Sequence, residues 1–273
     1  VLDKKSIQKK MVNVDVVIHT AGIPGPTKAN SSNDYLNVNY NGTKNLIDIA
    51  LENKVSKFIF FSSFARYGVD SWMRHRNECG SIIGEDVAVP KYLPIDESHP
   101  SINSYKGLYE WGGLWYGKSK ALAEEYGEEK SNDKFSFIPL RLAGFRELNK
   151  KLYIRKLKVN NKIKKNLIND IRKQFIYSLA GVTPKLLLIE SLKSLIKNPT
   201  YSYDPFNIVY PGTNLEDVTK NFFPTLKIQN KIFSNEKIIK FLKKNNNLPK
   251  FEKYHPNFLD NIINIMKYKY NLL

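Results

Sequence analysis

The sequence predicts an α/β fold built on a parallel sheet with crossover helices. Short apolar runs rich in β-branched and aromatic residues recur at 14–20 (VDVVIHT), 57–63 (KFIFFSS) and 135–142 (FSFIPLRL). Between them lie stretches with near-helical apolar spacing, at 34–53 and from about 116 to 130. Strands buried on both faces read as continuous apolar runs, and parallel neighbours need a crossover. Strand–helix–strand–helix–strand is therefore the pattern of a wound parallel sheet.

VDVVIHT is short and β-branched, as expected of a buried strand, and a loop with Gly22, Pro24, Gly25 and Pro26 follows it. In DYLNVNYNGTKNLIDIALEN, Leu36, Tyr40, Leu46, Ile47 and Ala50 share one helical face. KFIFFSS is a second buried strand, and 69–113 is loop-like, rich in Gly, Pro and polar residues. A helix from about Tyr116 to Lys130 leads to the third strand, FSFIPLRL. Beyond Arg146 a basic segment (147–173) precedes FIYSLAG, a helix over 184–198, a strand-like FNIVY (206–210) and a tail of helices and loops from about Asn214.

With 42% hydrophobic and 12% aromatic residues over 273, the chain can bury a sizeable core and is not disordered. Cys79 is the lone cysteine, so no internal disulfide forms, and the four histidines make no metal-ligand cluster. A reducing, cytoplasmic setting and no metal are expected. Apolar runs are too short to span a bilayer and no signal peptide opens the chain, so no membrane role is expected.

The formal charge of +17 is uneven: 18 basic and 17 acidic residues lie within 1–145, against 25 and 9 beyond. Two readings stand. The excess attracts an anionic partner such as a phosphorylated substrate, or it is lysine-rich solvated surface. No zinc-finger spacing or RNA-binding motif accompanies it, which argues against nucleic acid.

Three Tyr–Lys pairs have the i,i+4 spacing that places an ammonium beside a phenol: Tyr40/Lys44, Tyr116/Lys120 and Tyr126/Lys130. Context separates them. Ligands of parallel sheets bind at the C-terminal strand ends. Ser63 ends a strand, and the helix carrying Tyr116 starts the next crossover. Tyr40 sits within an apolar helix between two strands, and Tyr126 lies further along the Tyr116 helix, away from the sheet's mouth. Bland readings remain for single residues: Ser62 and Ser63 as turn caps, Asn39 on a solvated face, Gly22 as a turn glycine, Gly117 as a neutral surface residue, Trp111 and Trp115 as packing aromatics, His19 as a core histidine.

The set as a whole is more specific. HTAG (19–22), NVNYNGTKNL (37–46), FIFFSSFARYG (58–68), PIDESHP (94–100), YGKSKALAEE (116–125) and IPLRLAG (138–144) occur in that order. Together they resemble the extended short-chain dehydrogenase/reductase family, in particular its NAD-dependent sugar-nucleotide epimerase/dehydratase group. The resemblance is strong over 1 to about 145 and weak at FIYSLAG, FNIVYPGTN and FSNEKIIKFL.

The resemblance implies a Rossmann-like doubly wound sheet over 1–146. A smaller, mainly substrate-binding lobe would occupy 147–273, with about 174–212 returning to the sheet. It implies Ser63, Tyr116 and Lys120 as catalytic residues, with NAD as cofactor and NADP not excluded. Ala21, Gly22, Asn39, Ser62, Tyr116, Lys120 and Ala143 would meet the cofactor; Ser63, Arg66, Tyr116 and Lys173 would meet a nucleotide-sugar substrate. A homodimer stays open. The implied activity is epimerisation, or net dehydrogenation or reduction by the same residues, with a non-catalytic relative as the alternative.

Several features depart from the family. Its G-x-x-G-x-x-G turn finds no match before Gly22, the first glycine, and VLDKKSIQKKM resembles the segment after the family's third strand. The chain is therefore expected to lack two β–α units and a strand, about 60 residues, and with them the adenine side of the cofactor cradle. Phe64 and Ala65 stand where the dehydratase branch has an acidic pair, which argues against dehydration. The stretch 69–115 is longer than usual. Ser178, Leu179 and Ala180 replace an acidic helix start, and Lys173 or Arg172 stands near the place of a phosphate-binding arginine.

Overall fold

The computed structural model describes residues 1–25, 31–68, 91–92, 94–106, 108, 112–145, 182–209 and 233–249. Helix α1 (Lys4–Lys10) starts at Asp3, whose carboxylate accepts the Ser6 N–H at 3.1 Å, and leads to strand β1 (Val16–His19). Helix α2 (Ser32–Tyr35) opens with a reciprocal cap between Ser31 and Asp34. It runs into a π-helical stretch at Leu36–Asn41 and then helix α3 (Gly42–Glu52). Strand β2 (Lys57–Ser63) ends in a 3-10 turn, Phe64–Tyr67. A short 3-10 turn (Ile102–Ser104), helix α4 (Gly112–Lys130) and strand β3 (Ser136–Leu142) follow. Strands β4 (Gly144–Phe145) and β5 (Val182–Thr183) form a small pair. Helix α5 (Lys185–Lys197), strand β6 (Phe206–Ile208) and helix α6 (Glu236–Lys244) complete the described elements.

The main sheet has the order β1-β2-β3-β6 and is parallel throughout. Its two faces are both buried, and the period-two alternation assigns them. Phe58, Phe60 and Phe137 pack with Leu46, Ile47 and Ala50 of α3 and Ala123 of α4. Ile59, Ile138, Leu140 and Leu142 pack with Leu187, Leu188 and Leu195 of α5 and Ile238 and Leu242 of α6. This is a doubly wound α/β sheet, as expected from the continuous apolar runs of β2 and β3.

Two expectations need correction. The first run is not a fully buried strand: Ile18 is 42% exposed, because only β2 flanks β1 among the described residues. The helix of 34–53 is not uniform either, since its first half takes the wider π register. The Lys57 ammonium also links the sheet to α5, donating to the Leu195 and Asn198 carbonyls at 2.5 and 2.8 Å. A cation there meets the negative end of the helix dipole.

Candidate active site

Loops after β1, β2 and β3 leave the sheet at its C-terminal edge, where open parallel sheets bind ligands. After β1, Ala21 and Gly22 are exposed. Asn39, buried in the π-helical stretch, holds this loop from below. Its Oδ1 accepts the Ile23 N–H at 2.7 Å and its Nδ2 donates to the Ile23 carbonyl at 3.2 Å. A third bond runs from Nδ2 to Ser119 Oγ at 3.4 Å, tying the loop to α4. A π-helical insertion rotates the residues that follow it and is frequent at functional sites.

A Cβ placed on Gly22 would lie 2.8 Å from Asn39 Oδ1 and 3.6 Å from Lys120 Nζ. Gly22, Asn39 and Lys120 thus converge on one point, and a side chain at 22 would be driven into the Asn39 amide. Lys120 Nζ donates to the Phe61 carbonyl at 2.9 Å and sits 4.6 Å from the centre of the Phe60 ring. Burial lowers its pKa to about 8, and Glu124 opposes that fall. Lys120 is therefore still an ammonium at neutral pH, but one close to its titration range.

The second loop brings in Ser63. Its Oγ accepts the Ala65 N–H at 3.2 Å and starts the 3-10 turn. Helix α4 lies directly on that turn: a Cβ on Gly117 would fall under 3.0 Å from the Ala65 carbonyl oxygen and 3.1 Å from its carbon. Gly117 is buried, which removes its bland reading as a neutral surface residue. The Ser63 turn therefore packs against the residue next to Tyr116. From the other side, the Tyr35 ring meets Tyr116 edge-on at 6.1 Å, and its hydroxyl donates to Gly25 O at 2.8 Å. On the third loop, the Ala143 N–H donates to Thr183 Oγ1 at 2.8 Å.

The other Tyr–Lys pairs are arranged differently. Tyr126 donates its hydroxyl to Asp48, and both Lys44 and Lys130 hold their ammonium groups over its ring. Burial and the Asp48 hydrogen bond push the Tyr126 pKa upward, the wrong direction for a base. His19 is a buried core residue, stacked on Phe60 at 5.5 Å. The Thr43 hydroxyl donates to the Asn39 carbonyl at 2.6 Å, so its bond to His19 Nε2 at 2.9 Å requires the imidazole to be the donor. Burial, with Lys120 nearby, lowers the His19 pKa to about 3 and keeps the ring neutral.

Beneath the site lies a charge cluster that sequence reasoning missed. Glu124 is fully buried and pairs with Arg141 (Nη2–Oε2, 2.8 Å) and Arg66 (Nε–Oε2, 3.0 Å). The Arg66 contact is coulombic without a well-directed hydrogen bond: Nε and Nη1 have no hydrogen-bond partner among the described residues. Ser62 donates its hydroxyl to Glu124. Arg141 also donates to Tyr67 Oη and to the Glu97 carbonyl, both at 2.7 Å. Burial works against the Glu124 charge, yet Arg141 and Arg66 hold its carboxyl below the ordinary range. Ser62 and Arg66, expected at cofactor and substrate, have their side chains committed to this cluster. Lys173 lies outside the described residues, as do Ser178, Leu179 and Ala180. One signal could have revealed the cluster: Arg141 is a charge within an apolar strand, and a buried charge requires a counter-ion.

The exposed Ala21 and Gly22, the Asn39-held loop and the Lys120 ammonium would be the residues to meet a nicotinamide-ribose half. A glycine-rich strand-to-helix turn of the kind that cradles a diphosphate is not found among the described residues.

A family model described as the 3-beta hydroxysteroid dehydrogenase/isomerase family matches residues 1–74. The UDP-glucose 4-epimerases of Homo sapiens and Bos taurus are each 31% identical over 130 residues, covering 46% of this chain and 29% of theirs. The chain thus spans less than a third of the length of these curated relatives. Among solved structures, a short-chain dehydrogenase/reductase superfamily protein from Agrobacterium tumefaciens with bound NAD matches with TM-score 0.54 and 16% identity, over 98% of this chain and 85% of that one. A mutated uronate dehydrogenase matches with TM-score 0.53 and 15% identity, over 88% and 62%. UDP-N-acetylglucosamine 4-epimerase from Bacillus cereus matches with TM-score 0.50 and 20% identity, over 88% and 75%. At these identities the structural likeness speaks to the fold.

Proposed function

We propose that this chain is a member of the extended short-chain dehydrogenase/reductase family and carries the reacting site of an NAD-dependent nucleotide-sugar epimerase. The observation that carries the reading is the convergence of Gly22, Asn39 and Lys120, with the Ser63 turn packed on Gly117. Tyr116 would take the proton from a sugar hydroxyl. The Lys120 ammonium, one helical turn away, favours the phenolate. A free tyrosine titrates near 10, so bringing its titration down to neutral pH requires about 4 kcal/mol of preference for the phenolate. Lys120 supplies part of it. Ser63 would hydrogen-bond the reacting oxygen and hold it for transfer.

NAD, when bound, supplies the hydride acceptor and donor. Ala21, Gly22, Asn39, Lys120 and Ala143 would face its nicotinamide-ribose side. Phe64 and Ala65 carry no proton, so the turn after Ser63 favours epimerisation over dehydration. We assign 1–146 to the cofactor domain and 147–273 mainly to the substrate lobe, with about 174–212 returning to the sheet, where β6 pairs with β3. The excess basic residues of the latter would in part face the nucleotide diphosphate.

The test is product analysis after incubation with NAD and UDP-glucose, UDP-galactose or their N-acetyl forms. Epimerase action gives the 4-epimer with no net change in NADH. Stoichiometric NADH would instead indicate a net dehydrogenase, and neither product would remove the enzyme reading.

A further inference from the structure

We propose that Glu124 is a positioning residue for the reaction: from beneath the sheet's mouth it holds Lys120 as an ammonium and fixes the strand ends that present Ser63 and Ala143. The proposal rests on the assignment of Lys120 to the site.

Geometry carries it. Glu124 lies one turn beyond Lys120 on α4, on the same buried face. Its carboxylate takes the hydroxyl of Ser62 at the end of β2, the guanidinium of Arg141 near the end of β3, and Arg66 in the turn after Ser63. One side chain thus ties together the helix bearing Tyr116 and Lys120, the residue before Ser63, and a residue two before Ala143. Two guanidiniums and the Lys120 ammonium are all buried here. Glu124 pairs with both guanidiniums and bears on the Lys120 ammonium through space, without a direct ion pair, and removing its charge would leave three buried cations. A buried ammonium without a counter-charge loses its proton.

The surroundings of Lys120 leave this role to Glu124. His19, on β1, is held neutral by burial, and Tyr116 shares the helix. From β2, Lys120 meets the Phe61 carbonyl and the Phe60 ring, neither of which titrates. Arg66 and Arg141 approach through Glu124, and both would push the same proton off. Glu124 acts in the opposite sense on the Lys120 pKa.

The test is NMR titration of the full chain carrying 13C at lysine Cε, with the Lys120 signal assigned by its loss in Lys120→Arg. The parent should titrate near 8. Glu124→Gln should lower that midpoint by about one pH unit or more, and Glu124→Asp, which keeps the charge, should bring it back toward the parent. An unchanged midpoint in folded Glu124→Gln overturns the proposal. If the single variant does not fold, Glu124→Gln with Arg66→Met removes one charge of each sign and should show a smaller fall in the same direction, since Arg141 remains and the lost Arg66 charge offsets part of it. Failure of both to fold would make Glu124 a core residue alone and also overturn it. The readout needs no turnover. A parent chain that converts no nucleotide sugar but shows the Lys120 response to Glu124→Gln would refute the enzyme reading while leaving the hold of Glu124 on the Lys120 ammonium established.

Discussion

Gly117→Ala should destabilise the protein and impair the site together, although alanine is the better helix former. Replacing glycine by alanine inside a helix ordinarily gains about 1 kcal/mol. Here the added methyl would fall under 3.0 Å from the backbone oxygen of Ala65 and 3.5 Å from Ile102 Cδ1, where ordinary contact begins at 3.4 Å. Backbone cannot rotate away as a side-chain tip can, so α4 and the 63–67 turn must separate by several tenths of an ångström. Overpacking of this kind costs about 1–3 kcal/mol. Against rigid backbone the cost falls at the upper end, about 2–3 kcal/mol, so the balance is a loss of about 1–2 kcal/mol, or a fall in Tm of about 2–8 °C. Since the displacement moves Tyr116 away from Ser63, turnover should fall about tenfold or more, as misplacement by an ångström can cost about 100-fold. Gly127→Ala serves as a matched control: its methyl would strike the buried Phe137 ring, ten residues along the same helix. It should lower Tm comparably while the folded fraction keeps its activity. Thermal denaturation and turnover of both variants decide the matter. A Gly117→Ala protein as stable and as active as the parent would refute the packing of α4 on the Ser63 turn.

Two further outcomes follow from the same geometry. His19 titrates near 6.5 when unfolded and about 3 when folded, so the unfolded state binds the proton first and stability is lost as pH falls from 6.5 toward 3. Between pH 7 and 5 this amounts to about 2 kcal/mol; denaturant unfolding at the two pH values should show it, and His19→Gln should remove most of the slope. Asn39→Ala releases both backbone groups of Ile23; it should cost about 1–3 kcal/mol and raise hydrogen exchange at the Ile23 amide, and unchanged protection there would contradict the clamp.

Much of the frame was legible because burial leaves a mark in composition. KFIFFSS and FSFIPLRL are apolar on both faces, and β2 and β3 are covered on both faces. VDVVIHT has the same appearance but lies half open, since composition records what a strand is built to bury, not which neighbours flank it. The Tyr116/Lys120 pair could be preferred over its two rivals from context, but the reason Tyr126 is unsuited needed its partner: Asp48 lies 78 positions away in sequence. The Glu124 cluster escaped for the same reason. Its members come from β2, the following turn, α4 and β3, and no local pattern joins Ser62 and Arg66 to Arg141. Gly117 looked like any helix glycine because the carbonyl that requires it belongs to another segment.

Tyr116, and neither of the other tyrosines at the same spacing from a lysine, is the proposed proton acceptor. Turnover of nucleotide sugar with saturating NAD should be compared for Tyr116→Phe, Tyr126→Phe and Tyr40→Phe. We expect a loss of at least about 100-fold for Tyr116→Phe and rates within a few-fold of the parent for the other two, once corrected for folded fraction. Near-parental turnover by Tyr116→Phe, or its abolition by Tyr126→Phe in a folded protein, would contradict the claim.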